Sequence, residues 1–381
     1  MDKNNPKINL DDYKRMDYPK RMYKHYSLSS NSVNALSGKE NPYLYFSHPN
    51  QLNDIVDGSM VLWDLKNLDR YFYSLILQGI WKHFGKSNKD FIEEFNDKLT
   101  SMYEEAKKSN FEDIKLGLSF LNFYQRGILS LTENCCNNLM WAHYSYDDGF
   151  VLELDVDSLL EKLKNQVSEI YIFPINYKKK LYPIDFSKYI RFDEEKKELI
   201  MVEPLLYYVS TKYKDWKYER EWRVVIDKNN LGHSLNKLDF DTKKLRDKIF
   251  EQKTETKQDI FDAESRKIEI ETNTITKIIL GPYFFNNLYF SAIREENEQV
   301  FFLFKQSTQI SEIDFQKLKY FLVFLNAVKK DFGDKIEQVE VKNVVNNGIV
   351  SLKRKVCYKI KIIKLDDSLL VIEKTAIEDI S

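Results

Sequence analysis

The amino-acid sequence predicts an α+β fold, with a mixed or antiparallel sheet core, an inserted helical block and a small C-terminal α/β appendage. Between about 61 and 124, apolar residues recur at intervals of three and four, which is typical of amphipathic helices. Short apolar runs bounded by turn residues lie on both sides of this block and indicate strands. Near the C-terminus, Asn346-Asn347-Gly348 separates two alternating segments, and an Asn-Gly step between such segments is a strong hairpin signal.

Length and composition place the chain among globular proteins. Its 381 residues can bury one large core or two ordinary ones, and 43% of them are hydrophobic and 31% charged. The formal net charge of -1 predicts neither a nucleic-acid nor a membrane partner, although a local charged patch stays open. The N-terminus lacks the apolar region of a signal peptide, and no run of about 18 apolar residues predicts a membrane span. We therefore expect a cytoplasmic protein.

The three cysteines, of which Cys135 and Cys136 are adjacent, predict no disulfide framework and no metal site. Neighbouring residues on a strand point to opposite faces, and no CxxC or Cys/His pattern occurs. The sequence also lacks GxxxxGK[ST], GxGxxG, GxSxG, HExxH and the kinase motifs. These absences disfavour P-loop hydrolysis, hydride transfer on a Rossmann fold and serine hydrolysis.

The elements follow one another in a main domain at 21–300, preceded by a polar, flexible arm at 1–20 and followed by the appendage at 308–381. Asn137 and Asn138 can cap a short helix through Tyr144, and Asp147-Asp148-Gly149 turns into the next strand. We expect a helix at 194–208 that is interrupted near Pro204, and an exposed charge-rich helix at 242–271. The predicted strands are 43–46, 128–131, 150–154, 170–172, 222–226, 275–280, 336–345 and 349–363.

The segment WKYEREWR (216–223) holds the first candidate site. If it enters the following strand, the two-residue period places Glu219, Glu221 and Arg223 on one face. Two carboxylates beside a guanidinium can bind a ribose or share a proton. The structural alternative is a solvated ladder of ion pairs on an edge strand. Trp216 and Trp222 weigh against it, because large aromatic residues beside paired acids often line a concave site.

The segment LMWAHYSYDDG (139–149) holds the second candidate site. On a helix, Trp141 and His143 diverge from the face shared by Met140 and Tyr144, so the stretch is not a one-sided amphipathic helix. The alternative is that Trp141 belongs to the core and that His143 is a helix-end histidine with a structural role. A lone histidine without ligand spacing predicts no metal.

A basic and aromatic stretch runs from Tyr13 to Tyr26 and includes Lys24. Such a stretch can contact phosphates, although a solvated arm is the commoner outcome.

The order of these segments resembles the bacterial domain of unknown function 2971. The resemblance rests on LYFSHPNQLND (44–54), ILSLTENCCNNLMWAHYSYDDGFVLELD (128–155), WKYEREWRVV (216–225) and ITKIILG (275–281), and it covers roughly residues 20–290. That arrangement is similar in turn to the ADP-ribosyltransferase fold, with an early basic or His/Tyr motif, a middle Ser motif and a late Glu on a strand. Such proteins often serve as bacterial toxins or antiphage defence effectors.

The resemblance implies an NAD-consuming transferase or glycohydrolase with NAD as its substrate. Glu221 or Glu219 is then the catalytic carboxylate, with a slight preference for Glu221. The implied NAD-contacting residues are Tyr23, Lys24, His25, Asn53, Ser130, Trp141, His143, Tyr144 and Arg223. A protein or a nucleic acid is the implied acceptor, and an antitoxin or another defence protein is the implied partner.

Two alternatives stay open at this level. The first is a non-catalytic module that binds nucleic acid or protein through the 13–26 stretch and the aromatic segments. The second is a metal-independent nuclease that combines the paired acids with His143.

Overall fold

The central element of the fold is an eleven-stranded mixed sheet. A computed structural model describes residues 17–37, 41–52, 63–83, 88–112, 114–115, 118, 125–193, 195, 198–200, 202–228, 231, 264–285, 287–306, 310–346 and 349–377. Within these ranges every pairing of the large sheet is antiparallel except that of the strand Ile275–Leu280 with the strand Ile336–Asn346. The predicted α+β class, with a mixed sheet at its core, is confirmed.

The described strands are β1 Arg21–Tyr26, β2 Tyr43–Tyr45, β3 Trp63–Asp64, β4 Arg126–Thr132, β5 Phe150–Asp155, β6 Glu169–Pro174, β7 Asn176–Lys178, β8 Ile184–Asp185, β9 Arg191–Asp193, β10 Glu198–Ile200, β11 Thr211–Tyr213, β12 Glu221–Asp227, β13 Lys267–Glu269, β14 Ile275–Leu280, β15 Phe290–Glu296, β16 Gln299–Phe304, β17 Ile336–Asn346, β18 Ile349–Leu365 and β19 Leu369–Ala376. The described helices are α1 Ser30–Ser37, α2 Arg70–His83, α3 Asn88–Phe95, α4 Leu99–Lys108, α5 Asn138–Met140, α6 Val156–Lys164, α7 Val202–Val209 and α8 Glu312–Phe332. The order of strands across the sheet is β15-β16-β19-β18-β17-β14-β5-β1-β4-β12-β6.

Strand β4, in the middle of the sheet, has apolar side chains on both of its faces. Leu129 and Leu131 enter the main core, whereas Ile128 packs into a second core under the helical block. Because side chains alternate along a strand, one apolar run supplies both cores. Both faces are therefore closed, and polar side chains on this strand must either find partners or line a cavity.

Helices α2, α3 and α4 lie within the helical block predicted at 61–124, whose described part begins with the short strand β3. Its core includes Trp63, Tyr73 and Ile76, which cluster with Tyr171 of β6 and Val225 of β12. This packing covers one face of the sheet over β6 and β12. No helix in the described ranges combines the length and the apolar character needed to cross a membrane.

The C-terminal segment predicted as an appendage is continuous with the large sheet. Strand β17 pairs with β14 in parallel, with Ile278 opposite Ile336. Helix α8 packs on the main core, where the ring centroids of Phe324 and Phe150 are 4.5 Å apart. The apolar face of α8 needs a partner surface, and the middle of the sheet provides it.

Two secondary-structure predictions are corrected. The helix expected at 194–208 is a β9–β10 hairpin followed by α7, and Pro204 lies in the first turn of α7 rather than interrupting a helix. Proline is tolerated there because first-turn N–H groups have no partner within the helix. The helix expected at 242–271 lies mostly outside the described residues, but its end forms β13, which pairs with β2.

Candidate active site

A cavity of about 200 Å³ lies where β1, β4 and β12 run side by side. Its wall also includes β11, the 3-10 helix Lys214–Glu219, part of the 47–52 loop and a helix that we call the site helix, residues 138–145. The antiparallel register of β12 with β4 places Glu221 opposite Thr132 and Arg223 opposite Ser130. Polar residues from three neighbouring strands are thus gathered at one point of an otherwise apolar core.

Two carboxylates and two cations form a buried cluster in this cavity. Lys212 Nζ lies 2.9 Å from Glu219 Oε2 and 2.7 Å from Glu221 Oε2. Arg223 Nε donates to Glu221 Oε1 at 2.7 Å, and its Nη1 donates to the Val209 carbonyl at 2.7 Å. The four charged residues are each only 0–5% exposed. Burial of an ion at this depth is tolerated only with close partners of opposite charge, and the cluster supplies them.

The prediction that Glu219, Glu221 and Arg223 share one strand face is correct for the last two residues and wrong for Glu219. Glu219 ends the 3-10 helix, and Arg220 then adopts a left-handed conformation with φ 43° before β12 begins. Positive φ is uncommon for a residue other than glycine, and such residues cluster at functional sites. This turn brings the Glu219 carboxylate back to the ammonium that also binds Glu221. The Thr132 hydroxyl holds the turn by donating to the Glu219 carbonyl at 2.7 Å.

The two acids differ in their protonation. For Glu219, burial and the neighbouring Glu221 charge raise the pKa above its usual value against the opposing effect of Lys212. For Glu221, burial also raises the pKa, but Arg223 and Lys212 together outweigh it and hold the pKa well below its usual range. The surroundings therefore hold Glu221 ionised, whereas they favour the protonated form of Glu219 more than those of an ordinary glutamate do.

Lys24 brings a third cation to the cavity. Its Nζ donates to the Ser130 carbonyl at 3.1 Å, and none of the described carboxylates forms an ion pair with it. Burial, together with the Arg223 charge and against the attraction of Glu221, lowers the pKa of Lys24 to about 8. A cation in this setting is suited to an anionic ligand. The adjacent His25 has its pKa lowered to about 3 by burial and by Lys24, so it is a neutral hydrogen-bonding residue; its Nδ1 lies 3.0 Å from Ser145 Oγ.

The site helix forms as the sequence predicts, with the side chain of Asn137 capping it by accepting from the Leu139 and Met140 N–H groups. It continues as a π turn, Trp141–Ser145, of a kind often found at functional sites. This helix directs Tyr144 into the cavity, where its hydroxyl donates to Glu219 Oε1.

The cavity gathers eight of the predicted site residues: Tyr23, Lys24, His25, Ser130, Tyr144, Glu219, Glu221 and Arg223. Trp141 is not in the lining, because it is 0% exposed and packs in a small core with Val151, Ile279 and Val339. His143 is exposed and is not among the residues that line the cavity. Asn53 lies outside the described residues. In the described ranges no group of three or more His, Cys, Asp or Glu side chains is placed to hold a metal ion.

The sequence predictions missed Lys212 and Thr132. Thr132 lies two positions after Ser130 on β4, so the strand period could have found it. Lys212 carries no such local signal. Strand β11 reaches the site only by pairing with β7, outside the large sheet. The requirement that two buried acids have a cation predicts that some lysine is present, but not which one.

Comparison with known proteins yields one family. A family model described as "Protein of unknown function (DUF2971)" matches residues 140–224, a segment that runs from the site helix to the middle of β12. The matched segment contains Tyr144, Lys212, Glu219, Glu221 and Arg223. A search of the curated proteins and a search of the solved structures found no match.

Proposed function

We propose that the cavity binds NAD and cleaves its nicotinamide–ribose bond, passing the ADP-ribosyl group to an acceptor or to water. The observation that carries this proposal is the pair Glu219 and Glu221, whose carboxylates share the Lys212 ammonium while their pKa values are displaced in opposite directions. Titratable groups whose environments separate their pKa values are suited to different steps of one reaction.

In this reaction Glu221 stabilises positive charge on the ribose. As the C1′–N bond breaks, its electron pair leaves with the nicotinamide, and the ribose becomes oxocarbenium-like. A carboxylate that stays ionised and is held in place by Arg223 needs little reorganisation to stabilise that cation. Glu219 acts next as the base. It takes the proton of the attacking hydroxyl or water while the new bond to C1′ forms, and its raised pKa suits it to that task.

The remaining cavity residues bind the other parts of NAD. Lys24 faces the diphosphate as a cation that no described carboxylate neutralises, and Tyr23 and Tyr144 offer aromatic faces to the nicotinamide. At about 200 Å³, the cavity is smaller than the roughly 300–1,000 Å³ of typical small-molecule sites. It therefore holds the nicotinamide riboside end and leaves the adenosine outside. The roles of toxin and antiphage effector that the resemblance implies stay predictions.

The test is nicotinamide release from NAD by the purified chain. We expect Glu221→Gln to lower turnover by about 10²–10³-fold, because the charge that stabilises the transition state is removed. Glu219→Gln should also lower it and should remove the limb of the pH profile that reports ionisation of the base. The matched control is Glu161→Gln, at an exposed position on α6, which should turn over NAD as the wild type does.

Thermal unfolding separates loss of chemistry from loss of structure, because Glu221 also balances buried cations. A wild-type chain that neither releases nicotinamide nor is stabilised by NAD contradicts the proposal. So does full turnover in the Glu219→Gln, Glu221→Gln double variant.

A second candidate function, binding of single-stranded nucleic acid, is favoured by a row of aromatic rings outside the cavity. The ring centroids of His143 and Tyr218 are 6.2 Å apart, and those of Tyr218 and Trp216 are also 6.2 Å apart. We call these three residues the aromatic row. All three are at least partly exposed, and Lys212 Nζ lies 5.5 Å from the centroid of Trp216.

The 3-10 helix that carries Trp216 and Tyr218 also carries two exposed cations, Lys214 and Lys217, and the exposed Arg220 follows it. Stacked aromatic rings beside a basic backbone path are the usual means of binding unpaired bases without sequence preference. His143 belongs to the aromatic row and not to the cavity lining, which gives no support to the nuclease alternative.

We expect a fluorescent single-stranded oligonucleotide to bind with an affinity that falls steeply as salt rises. Trp216→Ala with Tyr218→Ala should weaken binding by about 1–3 kcal/mol per base that loses its stacking partner. Tyr283→Ala, at another exposed tyrosine, should bind as the wild type does. Binding that is insensitive to salt, or that survives loss of the aromatic row, contradicts this function.

A further inference from the structure

The adjacent thiols of Cys135 and Cys136 face each other, contrary to the expectation that neighbouring residues point apart. They lie in the turn that joins β4 to the site helix rather than on a strand, and their Sγ atoms are 3.0 Å apart. The turn is held by two hydrogen bonds: the Cys136 N–H donates to Asn134 Oδ1 at 2.9 Å, and Trp141 Nε1 donates to the Cys135 carbonyl at 2.6 Å. Both cysteines are partly exposed, so a small reagent can reach them.

The two thiols are not equivalent. The hydrogen bond between them lowers the pKa of Cys136 and raises that of Cys135. Burial and the nearby Glu153 add to the rise at Cys135. Cys136 is thus the sulfur with more thiolate character, and Cys135 is a protonated thiol in contact with it. A thiolate with a second thiol beside it is the arrangement that redox-sensitive cysteines share.

Both ends of this turn contact the candidate active site. On one side, Thr132 donates to the Glu219 carbonyl. On the other, Asn137 caps the site helix, and its Nδ2 donates to the Tyr218 carbonyl at 2.7 Å. Disulfide-bonded residues usually have Cα atoms about 4.4–6.8 Å apart, whereas consecutive Cα atoms are about 3.8 Å apart. The peptide bond fixes that distance, so a bond between the two sulfurs strains the turn, and we expect the strain to reach the site helix through Asn137, the next residue.

We propose that Cys135 and Cys136 form an oxidation site for hydrogen peroxide, and that their disulfide loosens the site helix. The Cys136 thiolate attacks one peroxide oxygen, the O–O bond breaks, and the leaving hydroxide takes a proton to become water, which leaves Cys136 as a sulfenic acid. The Cys135 sulfur then attacks the Cys136 sulfur. The S–S bond forms as the S–O bond breaks, and the departing hydroxide takes the Cys135 proton as a second water. Two thiols are oxidised and one peroxide is reduced.

The test uses the full chain, hydrogen peroxide and mass spectrometry of the tryptic peptide 127–162, which contains both cysteines. We expect this peptide to lose two hydrogen atoms within a single chain and to regain them with a dithiol reductant. Cys357→Ser should behave in the same way, because its buried thiol takes no part. Cys135→Ser should stop at the sulfenic acid, which a dimedone probe traps, whereas Cys136→Ser should react more slowly with peroxide.

Hydrogen exchange of residues 138–145 measures the coupling to the site. Faster exchange after oxidation, reversed by reduction and absent in Cys135→Ser, is the expected result. Unchanged exchange in the disulfide form overturns the coupling, and a pair that stays reduced or links only between chains overturns the site itself. Neither measurement involves NAD, so the outcome is independent of the proposed function.

Discussion

Lys212→Met is expected to destabilise the fold by about 3–5 kcal/mol at neutral pH, the usual effect of removing one partner from a buried ion pair. The Lys212 ammonium is the shared partner of Glu219 and Glu221, which are 3% and 5% exposed. Without it, two almost fully buried carboxylates lie beside each other with no shared cation. Arg223 still balances Glu221, so Glu219 is the residue left with an unpaired buried charge. Urea unfolding of the variant and the wild type measures the difference in the free energy of unfolding.

The same substitution should also change how the stability of the fold depends on pH. In the variant, the pKa of Glu219 rises further above its value in the unfolded chain, so the native state gains protons, and stability, as pH falls. In the wild type, the lowered pKa of Glu221 contributes stability that is present above the unfolded value and is lost as pH falls through the folded value. The difference in the free energy of unfolding between the variant and the wild type should therefore become smaller as the pH falls.

Lys214→Met is the matched control for Lys212→Met, since Lys214 is exposed on the 3-10 helix beside the cavity. It should change the free energy of unfolding by no more than about 0.5 kcal/mol. Two results contradict the role of Lys212 as the shared counter-charge. One is a decrease in the free energy of unfolding of Lys212→Met that is as small as that of the control, and the other is a decrease that is equal at pH 5 and pH 8.

Gly149→Ala is expected to destabilise the fold by about 3 kcal/mol and to displace the site helix from β1. A Cβ atom at Gly149 would lie 2.1 Å from the Tyr26 carbonyl oxygen and 2.8 Å from the Ser145 carbonyl oxygen. Both are backbone atoms that cannot rotate away, and Ser145 also contacts His25 at the cavity. Urea unfolding measures the loss, and hydrogen exchange of residues 138–145 should show reduced protection.

Gly333→Ala is the comparison for this change. At Gly333, which follows α8, the nearest atom to an added Cβ is the Lys329 carbonyl oxygen at 3.3 Å, and the backbone is already helical. We expect its effect on the free energy of unfolding to stay within about 1 kcal/mol. If Gly149→Ala is no more harmful than Gly333→Ala, close packing of the turn against β1 is not what holds the site helix.

Local sequence patterns account for a large part of the candidate site. The two-residue period of β12 predicts that Glu221 and Arg223 point to the same side, and the structure places them in one hydrogen-bonded pair. Asn137 predicts the start of the site helix, because its side chain can accept from the first free N–H groups. Asp147-Asp148-Gly149 predicts the turn that ends it, and Asp147 there has φ 59°.

Other features depend on contacts between residues far apart in the chain. The helical period separates Trp141 from Tyr144, but only the structure shows that Trp141 is buried in a core and that Tyr144 enters the cavity. The sequence predicts that the C-terminal strands form a separate appendage. Their place beside β14 follows from the burial of α8 against the middle of the sheet.

For this chain, the sequence alone determined the α+β class, the helical block and the two segments that supply Tyr144, Glu219, Glu221 and Arg223 to the candidate site, since periodicity, caps and turns are short-range effects. Only the tertiary structure decided which cation meets the paired acids and how Glu219 returns to Glu221. It also decided that two adjacent thiols face each other. The cation that pairs with a buried acid is the one that lies close to it in space, wherever that cation stands in the sequence. A left-handed Arg220 or a tight Cys135-Cys136 turn is stable only where the surrounding packing enforces it.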